Sequence, residues 1–396
     1  MHLLNFFTYG IAAIFTSYLP LYLMLTGLDK LEIGIFMSAG PLVSIAAYPF
    51  WNFFRVRQLG TRNVLLLQLT GILLCIHLML WIAGYPYLTW ITLLLFFFLS
   101  PLLYTSNTLS MEYAGDSPSE LKIDILKSRY WASAGWAVLP LTASLGFGYA
   151  FHDGVLHPLP VTIVTTLIIA AAIGIGLSFP SIRKQAPAAP IMAREIIGVL
   201  MNQYFFLFLL LGMLITIPLS VNQLFMPLFI SDLGGKMMDV ALAVCASFIL
   251  EAAVLHWLSK LNIRKMSRLL LFLTAVSLLS AIRWNLMAGA TLPSHVIYIS
   301  LLNSATLGGF FFVGTRLTSL FLPKPYRSAG QTLLVLCWSG LSAMAAGPLG
   351  GWLFQNLGSV IMYKTMVSMT LCGTIGLGLL WIYIHRNGYK PDRYYS

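Results

Sequence analysis

Twelve long apolar segments joined by short loops take up nearly the whole chain. A helix of about 20 residues, at roughly 1.5 Å per residue, crosses a hydrocarbon core of about 30 Å. In lipid every backbone N–H and C=O must find its partner inside the structure, which segments of this kind achieve only as helices. The segments are read at residues 3–26, 32–54, 63–84, 87–114, 126–150, 158–180, 202–230, 237–258, 267–288, 294–321, 328–354 and 359–384. The expected fold is an all-α membrane protein: twelve transmembrane helices in two pseudo-symmetric six-helix bundles.

Composition excludes the soluble alternative. Charged residues make up 9% of the chain and apolar residues 59%, against roughly 25% charged in soluble domains. The first segment follows Met1 and His2 directly, with no basic stretch or cleavage site, and is read as a retained helix. Cys75, Cys245, Cys337 and Cys372 lie singly inside apolar segments, without metal or disulfide spacing, and are read as small core residues.

The net charge of +11 does not point to nucleic acid, because its positions alternate by loop. Loops after even-numbered segments hold Arg55, Arg57 and Arg62; Lys122 and Lys127; Arg183, Lys184 and Arg194; Lys260, Arg264, Lys265 and Arg268; Lys324 and Arg327. The tail adds Arg386, Lys390 and Arg393, whereas loops after odd-numbered segments hold only Lys30 and Lys236. The positive-inside rule then places both termini in the cytoplasm of a multi-pass cell-membrane protein.

The longest connection runs from Ser181 to about Met201 and contains Pro187 and Pro190. It divides the chain into an N-terminal bundle (1–180), a cytoplasmic linker (181–201) and a C-terminal bundle with a short tail (202–396). The halves echo each other: Trp51, a basic loop and Val64-Leu65-Leu66-Leu67-Gln68-Leu69-Thr70-Gly71 match Trp257, a basic loop and Arg268-Leu269-Leu270-Leu271-Phe272-Leu273-Thr274-Ala275. Repeated halves of this kind imply a transporter with a central cavity.

Local motifs carry a resemblance. Segment 1 and its loop read Tyr18-Leu19-Pro20-Leu21-Tyr22-Leu23 and Gly27-Leu28-Asp29-Lys30-Leu31-Glu32-Ile33-Gly34. Segment 4 has Ser100-Pro101-Leu102, and segment 5 has Arg129-Tyr130-Trp131-Ala132-Ser133-Ala134-Gly135-Trp136. Glu251, Arg283-Trp284, Arg327-Ser328-Ala329-Gly330-Gln331 and Gly350-Gly351-Trp352-Leu353 follow in segments 8, 9 and 11. In this order the motifs resemble the major facilitator superfamily, specifically the branch of the phenylpropionate permeases, related to galactoside and nucleoside proton symporters. Two departures stand out. The loop Arg55-Val56-Arg57-Gln58-Leu59-Gly60-Thr61-Arg62 lacks the family's Asp, and Asn107 stands where the branch tends to carry an Asp.

Charge inside a membrane helix costs at least about 2.5–3.5 kcal/mol, so each case needs a partner or a task. Glu251 and Arg283 are candidates for proton coupling, with a fixed ion pair between adjacent helices as the plainer alternative. Arg129 and Glu112 flank the loop between segments 4 and 5. By the resemblance they correspond to a sugar-binding Glu–Arg pair, with Glu112 offset by about one residue; snorkelling to water is the alternative. The amides Asn107, Asn222, Gln223 and Asn303, together with Thr306, need polar partners and are expected to face the bundle interior. By the resemblance, segments 1, 4, 7 and 10 line a cavity. Tyr18, Tyr22 and Trp136 offer rings for stacking. Substrate contacts are therefore expected at Arg129, Glu112, Asn107, Trp136, Asn222, Gln223, Arg283 and Asn303, and coupling at Glu251 and Arg283. Lys364 and Arg316 read as snorkelling cations, His77 as a packing residue, and Gly347-Pro348-Leu349-Gly350-Gly351 as a close-packing stretch.

No catalytic motif, metal-ligand spacing or cofactor loop is present in the sequence. The expected activity is proton-coupled uptake of a small organic solute (sugar, nucleoside or aromatic acid) by a monomer. The expected partners are solute, protons and bilayer, with no cofactor and no nucleic acid. Efflux by proton antiport is the alternative, though Pro140 in segment 5 lacks the Gly-Pro pair typical of efflux relatives. A receptor or scaffold on a transporter fold is the alternative of another class. The excess of intramembrane Arg and Lys over Glu favours an anionic or hydroxyl-rich solute.

Overall fold

A computed structural model describes residues 1–81, 85–113, 118–152, 155–180, 193–260 and 265–389. Arg183, Lys184, Pro187, Pro190, Arg264, Lys390 and Arg393 lie outside the described residues, as do the side chains of Lys122 and Arg194.

The first half is built from α1 (His2–Leu25), α2 (Lys30–Phe54), α3 (Gly60–Trp81), α4 (Tyr85–Leu99), α5 (Leu102–Glu112), α6 (Pro118–Ala150) and α7 (Pro158–Leu177). The second has α8 (Ala193–Leu200), α9 (Gln203–Asp232), α10 (Met237–Ile249), α11 (Glu251–Lys260), α12 (Met266–Ala288), α13 (Pro293–Ser300), α14 (Asn303–Phe321), α15 (Arg327–Val335) and α16 (Ser342–Asn387). A two-residue antiparallel pair, Phe151–His152 with Val155–Leu156, joins α6 to α7.

The fold is all-helical and consistent with twelve segments. Segments 4, 8, 10 and 11 are each broken: α4/α5 at Ser100-Pro101, α10/α11 at Leu250, α13/α14 at Leu301-Leu302, and α15/α16 by a π-helical stretch, Leu336–Leu341. Among the described residues, eight helical stretches are long and apolar enough to cross a membrane. Two of them, of 52 and 64 residues, contain two crossings each, since about 20 residues suffice for one. They reverse where glycine takes a left-handed conformation, at Gly60 (φ 76°) and Gly358 (φ 81°), a region that side chains with a Cβ rarely enter. The stretch after Pro190 contributes more than a plain linker: α8 is helical, with Val199 buried.

Local chemistry fixes the helix starts. Asp29 accepts the backbone N–H of Glu32 at 2.7 Å, and the Glu32 carboxylate accepts that of Asp29 at 3.0 Å, a capping box that opens α2. Asn202 caps α9 by accepting Phe205 N–H at 3.0 Å.

The halves before and after residues 181–192 meet unequally. At the end opposite the termini, Lys30 (α2) pairs with Asp232 (α9) and lies 3.9 Å above the Phe354 ring. Its backbone N–H donates to Gln355 at 3.2 Å. Beneath it, α2 and α16 touch backbone to backbone, because a Cβ on Gly347 would overlap the Gly34 carbonyl and Ser38 Oγ. This is the close packing expected of the Gly347–Gly351 stretch. One apolar core runs continuously from α1 and α3 into α9 and α16. Toward the termini, the second half has a separate core around Trp338, Phe208, Phe310 and Phe321, to which no described residue of the first half contributes. Among the described residues the halves therefore share one core at the far end, while the second half keeps a further core of its own at the near end.

Candidate functional site

Between the halves lies a cleft with about 520 Å³ of empty volume, open solvent included. Its wall from the first half is Thr16 and Ser17 of α1 and Trp136 of α6. The second half supplies Asn222, Gln223, Ser247, Phe248 and Asn303, with apolar neighbours from α9, α10 and α14. Trp136 and Phe248 stack across the divide, with ring centroids 4.7 Å apart and planes 30° apart.

The polar groups of this wall are oriented from behind. The Asn303 amide oxygen accepts from Arg283 Nη1 at 2.7 Å. Arginine has no acceptor, so the oxygen must face it, and the NH₂ end remains available on the other side. The Asn222 oxygen accepts Tyr363 O–H at 3.1 Å in the same manner. The hydroxyls of Thr16, Ser17 and Ser247 donate back to carbonyls of their own helices. They therefore offer lone pairs elsewhere, and the amides and the Trp136 indole N–H are the donors that remain.

A second polar group lies beside the cavity toward the termini. Ser133 Oγ (α6) donates to Glu251 Oε2 (α11) at 2.9 Å, across the two halves. Arg129, one turn before Ser133, acts electrostatically on both Glu251 and Tyr9. Tyr9 O–H and the Asn107 side chain are joined at 2.8–3.1 Å. Arg129, Asn107, Glu251 and the unforeseen Tyr9 and Ser133 thus form one cluster. Phe248 looks like an ordinary helix residue in sequence and Ser133 like one position of the segment 5 motif, and their pairing across the halves is what marks them out.

Several expectations require correction. Glu251 and Arg283 do not pair. Glu251 meets Ser133, while Arg283 is fully buried behind Asn303, donating also to Thr306 at 3.3 Å and lying over the Trp284 ring. Glu112 does not line the cavity. It accepts Thr61 O–H at 2.5 Å and lies 3.6 Å from Arg55, with its side chain 4% exposed. It thereby provides an acid to the loop that lacks the family's Asp. Tyr18 and Tyr22 hold carbonyl oxygens of Pro140 and Met79, and line an apolar pocket with Phe147 and Ile76 instead of the central cavity. His77 is a packing residue bonded to the Leu73 carbonyl at 2.8 Å, and Lys364 is exposed.

Comparison with known proteins decides the family. Residues 1–365 match the family described as "MFS_1 like family". The chain belongs to that family. It is a multi-pass membrane transporter of the major facilitator type, not an enzyme. A maltose permease of Geobacillus stearothermophilus is 26% identical over 387 residues, covering 96% of this chain and 92% of the relative. The MFS_1-like fold is shared with the nucleoside transporter NupG, at a TM-score of 0.77 and 14% identity over 96% of this chain and 98% of that one. It is shared too with a POT family transporter crystallised with a thioalcohol-conjugated peptide, at a TM-score of 0.72 and 12% identity over 97% of this chain and 94% of that one.

Proposed function

We propose that this MFS_1-like protein takes up a small, ring-bearing organic solute by proton-coupled alternating access. The moving units are the bundles 1–180 and 202–396, with the basic loops and both termini on the cytoplasmic side of the cell membrane. The Ser133–Glu251 bond carries this reading, because it puts an ionisable carboxylate on the seam between the halves and beside the cavity. Protonation removes the charge that Ser133 and Arg129 engage, so the cross-half contact weakens when the proton arrives. A bond to a charged group contributes roughly 1.5–3 kcal/mol, enough to shift a two-state equilibrium about 10- to 150-fold.

The solute sits between the Trp136–Phe248 stack and the amides of Asn222 and Asn303, with Gln223 at the rim. Asn107 and Arg129 bound the approach from the termini. The names of two similar proteins, a maltose permease and a nucleoside transporter, favour ring solutes carrying oxygen acceptors. Flux into proteoliposomes tests the reading. Radiolabelled sugars, nucleosides and aromatic acids are screened with and without an inward proton gradient. Accumulation that requires the gradient supports it, and gradient-independent equilibration of every solute carried would reject the coupling.

A further inference from the structure

Arg283 has no carboxylate counter-charge among the described residues, and Tyr363 is the ionisable group that acts on it electrostatically. Its side chain is 0% exposed. Nη1 is bonded to Asn303 and Thr306, but Nε and Nη2 find no acceptor. Trp284 Nε1, next in the chain and beneath the guanidinium, is also a buried donor without an acceptor. Three N–H-bearing atoms without acceptors and one positive charge without a carboxylate partner therefore lie on two adjacent buried residues behind Asn303. Uncompensated burial of this kind is among the costliest arrangements in a protein.

We propose that Arg283 and Trp284 form the binding site of a single monovalent anion that the polypeptide does not itself supply. Arg283 gives the charge and two free donor atoms, Trp284 gives the third, and Asn303 separates the site from the cavity. The guanidinium fork suits a carboxylate held by two parallel hydrogen bonds, and its charge also suits a halide. The anion enters past Asn303, either as a free inorganic ion or as the carboxylate of the transported solute. The second source rests on the proposed transport function, and the first does not.

The full-length protein, purified in detergent, is titrated with sodium chloride, sodium bromide and sodium benzoate at constant ionic strength made up with sodium sulfate, a dianion that the single charge of the site does not match. Thermal unfolding and tryptophan fluorescence are read. A ligand that binds only the folded state raises the unfolding temperature by mass action. The site predicts a saturable rise with at least one of these salts, weakened at least tenfold in apparent affinity by Arg283→Lys and absent in Arg283→Met. Saturation by the halides assigns a free ion, and saturation by benzoate alone assigns a solute carboxylate. In sulfate alone, Arg283→Met unfolds at a higher temperature than the parent, because it removes an unpaired buried charge without leaving a void. No saturable response in the parent protein overturns the site. So does an unchanged response in Arg283→Met, or a Met variant that is less stable or fails to fold. Anion binding without solute flux would reject the transport reading and leave the site standing.

Discussion

Ser133 and Glu251 are 118 positions apart in the chain and come from opposite halves, yet the serine hydroxyl donates to the carboxylate at 2.9 Å. This bond lies where the seam between the halves passes the cavity. Any change in the charge of Glu251 is therefore felt as a change in how firmly the halves hold each other.

Ser133→Ala removes that donor and leaves the carboxylate. Losing one hydrogen bond to a charged group costs roughly 1.5–3 kcal/mol. We expect the near end to spend about tenfold or more additional time open, with the stoichiometry of coupling unchanged. Distances between spin labels at Lys127 and Lys260 report the opening. An unaltered distance distribution would show that the bond does not hold the seam.

Gly347→Val addresses the opposite end. Any Cβ at this position meets the Gly34 carbonyl and Ser38 Oγ, which are not free to move without separating α2 from α16. Overpacking costs about 1–3 kcal/mol, so the far-end seal should fail and transport should fall at least fivefold. By contrast, Asp232→Asn breaks only the half-exposed pair with Lys30, worth about 0–1 kcal/mol. Its effect should be less than fivefold and should shrink with added salt. Labelling of a cysteine at Gln223 by an impermeant reagent, in cells, measures far-end opening in both variants.

Glu112→Ala separates two roles for that residue. Its carboxylate is nearly buried against Arg55 and Thr61, and removing one partner of a buried pair costs about 3–5 kcal/mol. Stability of the purified protein should drop accordingly, while solute affinity per folded molecule stays within twofold. A large loss of affinity with normal stability would return Glu112 to the binding site.

Much of the fold was legible because lipid permits so few solutions. Length, apolarity and internally paired backbone imposed helices, and no soluble alternative could be built from the charges present. The site was legible only in part. Asn222, Gln223, Asn303 and Trp136 stand out in apolar segments, since an amide or an indole there needs a partner, and all four line the cavity. Arg283 and Glu251 stood out too, but neighbouring position in the helix order does not fix depth, and each found its own partners. Ser133 stood out only as part of the segment 5 motif and Tyr363 not at all, because the partner of a serine or tyrosine in a membrane helix is unknown until the opposite helix is in place. The separate role of Glu112 turned on one helical position, about 100° of rotation, which spacing alone does not resolve.

The most direct test of the account is uphill transport by Glu251→Gln in proteoliposomes with an imposed proton gradient. A permanently neutral side chain of the same shape should abolish accumulation against a solute gradient, by at least tenfold. It should leave exchange of labelled for unlabelled solute at parent rates, because the neutral form still passes through both orientations. A Gln variant that concentrates solute as well as the parent would contradict Glu251 as the coupling acid, and with it the central claim.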